Sequence, residues 1–336
     1  MRYLTSCICG VAVLSLGATP LAAARGRVGQ SMPSNLSDGD FAIAPTYVDA
    51  PELTVKDRVP KGTIHQFTMK SEDSRIYPGI SKTQPGAVVP YERSVAVYVP
   101  AQYAPGTAAP FIVAQDGMSP TYLGTLPLIL DNMIHEKRLP IMIAVMVHNG
   151  GGDAQGSERG LEYDTVSGVY TTFIETEVLP RIEKDYKVTF TKDPEGRATM
   201  GGSSGAACAF TMGWFHPELY RRILSYSGTF VNQQSPVNPE SPRGAWEYHA
   251  TMIPHTDAKP LRIWLEVGQN DNGSTRDEAS LHNWVLANQR MAAVLKAKGY
   301  HYRYVFAEEA GHVDRRVVRQ TLPDALLWLW QGYPIK

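Results

Sequence analysis

A glycine-rich segment in the middle of the chain contains the pattern Gly-x-Ser-x-Gly. Residues 200–206 read Met-Gly-Gly-Ser-Ser-Gly-Ala. The segment follows a stretch typical of a strand, 197–200, and precedes one typical of a helix, 206–214. Glycines on both sides of a serine permit a sharp turn that lifts the hydroxyl above the end of a sheet. Ser203 is therefore the candidate nucleophile, and the alternative is an ordinary glycine turn with a capping serine.

A serine hydroxyl is a poor nucleophile unless a base removes its proton. Gly311-His312 lies between the last predicted strand and the last predicted helix, and this position favours His312 as the base. His148 is the main alternative, because it ends a predicted strand and precedes a glycine loop. The remaining histidines lie in or beside other predicted elements and are less well placed.

A histidine base needs a carboxylate that fixes its tautomer and stabilises the imidazolium. Asp271 comes just after the predicted strand 261–267. It also completes the chain order Ser, Asp, His that accompanies a serine on a strand-to-helix turn. Glu266, inside that strand, and Asp277, beyond it, are the alternatives.

The oxyanion that forms during ester cleavage needs two N–H donors. The backbone N–H of Ser204, at the start of the predicted helix, is one candidate. We expect the second in the loop 115–119, Gln-Asp-Gly-Met-Ser, with the Met118 N–H as the donor. Gly117 would allow the backbone to approach the oxyanion, although Asp116-Gly117 also fits a simple turn.

Strands and helices alternate regularly around these residues. The sequence predicts strands at 62–69, 94–99, 111–114, 141–147, 197–200, 222–226, 261–267 and 302–306, and helices at 126–137, 164–186, 206–214, 281–298 and 322–330. This alternation predicts one α/β domain, a mostly parallel central sheet with helices on both faces. Residues 233–259, rich in Pro, Ser and aromatic residues, predict an insertion at a strand end, where substrates are often shaped.

Composition narrows the class of protein. The 336 residues are 43% hydrophobic and 19% charged, which supports a full core rather than global disorder. Lys and Arg number 32 against 33 Asp and Glu, so we expect no broad nucleic-acid-binding surface. The sequence has no HExxH, CxxC or compact His/Asp cluster, so we expect no metal and no cofactor.

The first 24 residues have the pattern of a secretory signal peptide. Arg2 precedes an apolar run at 4–16, and Ala22-Ala23-Ala24 fits a cleavage site. The apolar run is too short to span a bilayer, so we expect no membrane span in the mature chain. The pattern predicts a periplasmic or secreted protein, with an extended lead-in at 25–60 and the catalytic domain at 61–336.

Removal of such a signal would leave one cysteine. Cys7 and Cys9 lie within it, and Cys208 remains. A single cysteine cannot form a disulfide within the chain, and we expect Cys208 to be a small buried hydrophobic residue.

Several segments between about residue 60 and the C-terminus together resemble a family of α/β-hydrolase-fold esterases. The family includes enterochelin (siderophore) esterases, feruloyl and acetylxylan esterases, and mycolyltransferases. The matching segments are Val97-Tyr-Val-Pro-Ala-Gln-Tyr103, Gln115-Asp-Gly117, Glu158-Arg-Gly-Leu-Glu-Tyr-Asp164, Glu177-Val-Leu-Pro180, Gly196-Arg-Ala-Thr-Met-Gly-Gly-Ser-Ser-Gly205, Val267-Gly-Gln-Asn-Asp271 and Gly311-His312.

The resemblance implies Ser203 as nucleophile, His312 as base and Asp271 as acid, although some siderophore esterases work with a Ser-His pair. It also implies that Arg159 and Glu162 shape the substrate site, either as an ion pair or separately. Relatives often carry a Trp shortly after the His. Here residues 313–316 are Val-Asp-Arg-Arg, whose charges would contact an anionic substrate or face solvent.

The function implied is a serine esterase that acts through an acyl-enzyme on a small-molecule or carbohydrate-linked ester, in the manner of enterochelin esterases. A carbohydrate acyl esterase of the feruloyl or acetylxylan type, an acyltransferase and a non-catalytic binding protein are the alternatives. Trp246, Tyr248 and Trp284 would suit sugars or catechols, or simply pack. The sequence leaves the oligomeric state open.

Overall fold

The structure is a computed structural model that describes residues 36–81, 83–84, 86–150, 158–234 and 237–335. The predicted signal peptide, the first part of the lead-in and residues 151–157 of the glycine loop lie outside the described residues.

A nine-stranded sheet forms the centre of the described chain, in the order β1-β11-β10-β9-β8-β5-β6-β3-β2. Its neighbours from β1 to β6 are parallel, whereas β3 is antiparallel to β6 and β2 to β3. Strands β4 and β7 form a separate two-stranded ribbon. The strands are β1 (Gly39–Ile43), β2 (Thr63–Lys70), β3 (Glu92–Val99), β4 (Ala108–Ala109), β5 (Phe111–Gln115), β6 (Ile143–Val147), β7 (Thr189–Phe190), β8 (Arg197–Gly202), β9 (Arg222–Tyr226), β10 (Arg262–Gly268) and β11 (His301–Ala307).

Helices cover both faces of this sheet. They are α1 (Pro120–Leu123), α2 (Leu126–His135), α3 (Val169–Phe173), α4 (Leu179–Tyr186), α5 (Ser204–Phe215), α6 (Ile253–His255), α7 (Trp284–Ala297) and α8 (Arg315–Leu329). Apolar residues of α2 and α8 pack on one face, and those of α3, α4, α5 and α7 pack on the other. The predicted α/β architecture, one domain with a mostly parallel sheet, is confirmed.

The central strands are apolar because both of their faces are covered. Every residue of β5 and β6 is buried, as expected for parallel strands between two helical layers. Cys208 is 1% exposed and lies in the core with α3 and α4. Burial raises the pKa of its thiol well above the usual range, so Cys208 is the inert packing residue that the sequence predicted.

The described part of the predicted lead-in, from residue 36, contributes a strand to the central sheet. Strand β1 pairs in parallel with β11 at the sheet edge. The indole Nε1–H of Trp328 donates to Asp38 Oδ1 at 3.1 Å, and the Tyr302 hydroxyl donates to Asp40 Oδ1 at 2.9 Å. The sequence did not reveal β1, because five residues with one buried side chain are too short for a recognisable alternation.

Helix α8 begins at Arg315, seven residues before the predicted start at 322, and a proline in its interior does not interrupt it. Pro323 lies inside the helix and has no N–H for the carbonyl of Arg319. The N–H of Ala50, in the lead-in, donates to that carbonyl at 3.2 Å. A backbone group that the proline leaves unpaired is therefore satisfied from another segment.

Two other helix predictions needed correction. The helix predicted over 164–186 begins at Val169 and contains a π-helical turn at Ile174–Val178. The helix predicted from 281 begins at Trp284, where the Asn283 side chain accepts from the Leu286 N–H. In the described part of the chain, no helix combines the length and hydropathy needed to cross a membrane.

Candidate active site

The Gly-x-Ser-x-Gly segment forms a sharp turn between β8 and α5. Ser203 has φ 58° and ψ −127°, a region that a residue with a side chain rarely adopts. A Cβ on Gly201 would lie 2.4 Å from the carbonyl carbon of Gly205, so the turn requires glycine there. The Ser203 N–H donates to the Tyr226 carbonyl at 2.9 Å, and its own carbonyl accepts from Ala207 N–H at 3.1 Å. Strand and helix together hold the strained residue in place.

The structure brings together the three residues expected to form a triad. His312 Nε2 lies 2.8 Å from Ser203 Oγ, and His312 Nδ1 lies 2.5 Å from Asp271 Oδ1. The Asp271 side chain is fully buried, whereas 26% of the His312 side chain is exposed. An ionised carboxylate only accepts, so Nδ1 carries a proton and Nε2 is free to accept the Ser203 hydroxyl proton. This arrangement can activate a serine.

The alternative acids and the alternative base lie elsewhere or are engaged in other hydrogen bonds. Glu266 is fully buried in β10, where burial raises its pKa well above the usual range and favours the neutral acid. Asp277 accepts from Ser280 N–H in a turn before α7. His148 Nδ1 accepts from the Gly150 N–H at 3.3 Å and does not contact Ser203.

Two backbone N–H groups beside Ser203 are free. Ser204 is the first residue of α5, and Met118 follows β5. Neither N–H has an acceptor within the described ranges. The β5 loop lies against the start of α5, since a Cβ on Gly205 would lie 3.1 Å from Gln115 Cβ. These two N–H groups are the candidate donors of an oxyanion hole.

Gly117 has a different reason to be glycine from the one expected. A Cβ there would lie 2.6 Å from Met146 Cβ in β6, so the neighbouring strand leaves no space. Its N–H donates to the carbonyls of Ala114 and Val147 at 3.2 and 3.3 Å and is not available to an oxyanion. Gly117 therefore shapes the loop that presents Met118.

Arg159 and Glu162 do not pair with each other. Arg159 Nη2 donates to Asp116 Oδ2 at 2.6 Å, and its guanidinium lies 5.3 Å from the centre of the Tyr163 ring. About a third of the Arg159 side chain, 36%, is exposed beside the loop after β5. Arg159 is therefore partly exposed beside the loop that carries Met118.

Glu162 is not. Its side chain is fully buried, and Arg93 Nη1 donates to Glu162 Oε2 at 2.6 Å. The Tyr91 hydroxyl donates to the other carboxylate oxygen at 2.7 Å. The prediction that Glu162 contacts substrate is wrong. The residue belongs to a buried ion pair that joins β3 to residues 158–164, and a sequence cannot show which distant cation a carboxylate selects.

The loop after β9 is a part of the site that the sequence analysis missed. The Ser227 hydroxyl accepts from the Val313 N–H at 2.8 Å, next to the histidine. Thr229 Oγ1 lies 3.3 Å from Ser203 Oγ and 3.2 Å from Trp284 Nε1. Residues 227–229, Ser-Gly-Thr, form no recognised motif. The only signal was their position at the carboxyl end of a parallel strand beside β8.

Aromatic residues near the insertion divide into two groups. Trp246 and Tyr248 are 2% and 0% exposed and pack in the core with Phe210 of α5, so they do not reach a substrate. Trp284 is 6% exposed and belongs to the same core, but its ring centre also lies 6.1 Å from that of His312. The charged residues after the histidine pair locally, because the Arg316 guanidinium donates to Asp314 Oδ2 at 2.6 Å.

A second polar group missed by the sequence analysis lies behind Ser204. Gln233 Nε2 is 3.2 Å from Ser204 Oγ and 3.4 Å from Asp164 Oδ2. Asp164 is 6% exposed, and burial raises its pKa to about 6. The carboxyl group loses solvation without gaining a full set of partners.

This burial predicts a pH-dependent stability. The folded pKa of Asp164 lies above its unfolded value, so its contribution is fully retained below about pH 4 and is lost as the pH rises through about 6. Asp164→Asn is neutral and its oxygen can still face Gln233. Relative to wild type, the variant should gain about 2 kcal/mol of unfolding free energy between pH 4 and pH 7. Urea denaturation across this range measures it, with Asp73→Asn on an exposed turn as the control. A constant difference across the range would contradict the buried-acid interpretation.

Comparison with known proteins agrees with this geometry. The model of the family described as "Putative esterase" matches residues 87–329. No curated protein sequence matches the chain. Among solved structures, the enterobactin esterase FES from Shigella flexneri is similar at 22% identity and a TM-score of 0.51, over 71% of this chain and 56% of that one. The chain thus spans about half the length of that enzyme.

Two further solved structures share the fold. A ferulic acid esterase from the anaerobic fungus Anaeromyces mucronatus is 15% identical, with a TM-score of 0.57, over 85% of this chain and 96% of that one. The ferric enterobactin esterase from Salmonella typhimurium is 20% identical, with a TM-score of 0.54, over 80% and 58%. The match to the family model covers most of the chain and includes all the groups around Ser203. The chain belongs to this esterase family and has an α/β-hydrolase-like fold.

Proposed function

We propose that the protein cleaves esters through a covalent acyl-enzyme on Ser203, with His312 as base and Asp271 as its acid. The observation that supports this most strongly is the pair of short contacts made by one imidazole, 2.8 Å to Ser203 Oγ and 2.5 Å to Asp271 Oδ1. Proton transfer from the hydroxyl to Nε2 accompanies attack on the ester carbonyl. The oxyanion then accepts from the N–H groups of Ser204 and Met118. The alcohol leaves with a proton from His312, and water repeats the sequence to release the acid.

We propose a siderophore-type ester, built from catechol carboxylic acids, as the substrate class. Arg159 supports this proposal, because its partly exposed guanidinium is held by Asp116 close to the start of α5. A planar cation of this kind suits acidic phenol or carboxylate oxygens. We also propose that the protein acts in the periplasm or outside the cell, on the pattern of its first 24 residues.

A feruloyl ester of a carbohydrate is the second candidate. One observation favours it: the aligned part of the Anaeromyces mucronatus ferulic acid esterase is 96% of that chain, whereas 56% of the Shigella flexneri enzyme is matched.

A hydrolysis panel separates these candidates. Enterobactin-type trilactone, feruloyl sugars, acetylated xylan and short p-nitrophenyl esters are compared by kcat/KM, with the Arg159→Gln enzyme measured beside wild type. The trilactone should be the best substrate, and Arg159→Gln should lower its kcat/KM about tenfold or more with little effect on p-nitrophenyl acetate. Preference for feruloyl sugars, or an equal effect of the variant on all esters, would contradict the siderophore assignment. Transfer of the acyl group to an added alcohol in preference to water would indicate an acyltransferase.

A further inference from the structure

A second hydroxyl contacts the nucleophile. Thr229 is 1% exposed, and its Oγ1 lies 3.3 Å from Ser203 Oγ. Its backbone N–H donates to the Ser203 carbonyl at 3.1 Å, so the two residues are held together by main chain and side chain. Asn288 of α7 fixes the loop, because its Nδ2 donates to the Gly228 carbonyl at 2.9 Å. The contact is part of a rigid arrangement.

The direction of each hydrogen bond follows from the chemistry of its groups. The Trp284 indole N–H can only donate, so Thr229 Oγ1 accepts from it at 3.2 Å. Ser203 donates its proton to His312 Nε2, which leaves its lone pairs to accept. The one hydroxyl proton of Thr229 is therefore free to point at Ser203 Oγ. The bonds form a directed chain from Trp284 through Thr229 and Ser203 to His312.

We propose that Thr229 is a catalytic residue that stabilises Ser203 Oγ as the leaving group of deacylation. This inference rests on the proposed acyl-enzyme. In that step water adds to the acyl carbonyl and gives a proton to His312. The carbonyl carbon–Oγ bond then breaks, Oγ keeps the electron pair, and the proton returns from His312 to Oγ. No proton leaves Thr229. Its hydrogen bond strengthens as negative charge develops on Oγ, so it assists the departure of Oγ. It assists attack less, because a hydrogen bond donated to Oγ withdraws electron density from the attacking lone pair.

Two substitutions test this proposal against a purely structural role. Thr229→Val keeps the shape and removes the donor, whereas Thr229→Ser keeps the donor. Thr229→Val should slow deacylation by roughly tenfold to a hundredfold, seen as acetyl-enzyme accumulating after mixing with p-nitrophenyl acetate. The rate at which Ser203 reacts with a fluorophosphonate, which requires attack alone, should change less than about threefold. Thr229→Ser should behave as wild type in both assays.

The remaining outcomes are decisive. Unchanged deacylation in Thr229→Val, or equal loss of deacylation and fluorophosphonate reaction, would overturn the proposal, as would a Thr229→Ser enzyme as slow as the valine variant. The valine variant also leaves the Trp284 indole without an acceptor, so Thr229→Val with Trp284→Phe repeats the test if the single variant folds poorly. Failure of the proposed function looks different, because wild-type Ser203 would then not react with the probe at all.

A different observation concerns the opposite end of the sheet. A cleft of about 380 Å³ opens where β9, β10 and β11 begin, at Arg222, Arg262 and His301. Strand β10 has seven residues, so this basal cleft lies roughly 20 Å from the carboxyl ends of the strands that carry the active site. Arg221 and Lys259 also line it.

The lining of the basal cleft has more positive than negative charge. Glu195 is the one carboxylate among the described lining residues, and it pairs with Arg221 and Arg222 at 3.1 and 3.0 Å. Asp38 reaches His301 Nδ1 at 2.7 Å and Arg262 Nη1 at 3.8 Å from outside the cleft. Arg262 Nε and Nη2, and Lys259 Nζ, have no hydrogen-bond acceptor among the residues described here.

We infer that the basal cleft binds a small phosphate-bearing ligand. Arg262 and Lys259 both line the cleft and keep nitrogen donors without an acceptor among the described residues, and a tetrahedral dianion can accept from both. Loss of solvation lowers the pKa of Lys259 and of Arg262, and the nearby carboxylates of Glu218, Asp38 and Glu195 offset this only in part. The volume falls in the range of small-ligand sites.

Calorimetric titration of the whole protein with inorganic phosphate at low ionic strength tests the cleft. Wild type should bind with a Kd of roughly 1 mM or below, and Lys259→Gln with Arg262→Gln should weaken binding at least about tenfold. Lys184→Gln, at an exposed position of α4, is the matched control and should bind as wild type. No binding by wild type, equal binding by the double variant, or binding of succinate in preference to phosphate would overturn the assignment.

Discussion

Replacing Ser203 with alanine should lower kcat by about 10⁴- to 10⁶-fold for every ester that the wild-type enzyme hydrolyses. The substitution removes the oxygen that His312 Nε2 contacts at 2.8 Å, so no acyl-enzyme can form. The oxyanion donors and the substrate surface remain, and KM should therefore change little. Steady-state kinetics with p-nitrophenyl acetate and with the preferred natural ester measure both parameters.

A matched variant separates the loss of the nucleophile from a general effect of substitution. Ser280→Ala changes a serine in a partly exposed turn before α7 and should leave kcat within about twofold of wild type. A Ser203→Ala enzyme that keeps most of its activity would show that another group attacks the ester.

Asp271→Asn should lower kcat by roughly 10²- to 10⁴-fold although it changes a single atom type. The Asp271 Oδ1 that lies 2.5 Å from His312 Nδ1 also accepts from the Asn272 N–H at 2.6 Å, so the amide oxygen should keep that position. The imidazolium that forms during catalysis would then lose its negative partner. The measurement is kcat, together with circular dichroism to show that the fold is retained.

Glu266→Gln is the control for the identity of the acid. Glu266 is also fully buried, and burial favours its neutral form, so an amide of the same shape should keep kcat within about tenfold of wild type. A larger loss in Glu266→Gln than in Asp271→Asn would assign the supporting acid to Glu266.

Some of the site can be read from the sequence because parallel strands impose a common direction. Residues that follow strand ends meet at one edge of the sheet, so chain position alone put Ser203, Asp271 and His312 in one neighbourhood. The glycines of the β8–α5 turn added a steric reason, which the 2.4 Å approach at Gly201 makes explicit. Backbone geometry of this kind is local, and local patterns are visible in one sequence.

Side-chain partners are not local, and here prediction failed. Glu162 found Arg93, 69 positions away in the chain, and Arg159 found Asp116, 43 positions away. Many carboxylates in the sequence could have paired with Arg93 or Arg159, and the packing of the fold decides which of them do. Thr229 was missed for the same reason, because a threonine in a loop acquires meaning only when its neighbours are known.

The most direct test of Ser203 as nucleophile is the site at which a fluorophosphonate probe attaches. The labelled wild-type enzyme is digested and the modified peptide is sequenced by mass spectrometry, in parallel with residual esterase activity. One adduct on Ser203, formed in step with the loss of activity, is the expected result. An adduct on another residue, or full inactivation without modification of Ser203, would contradict the assignment.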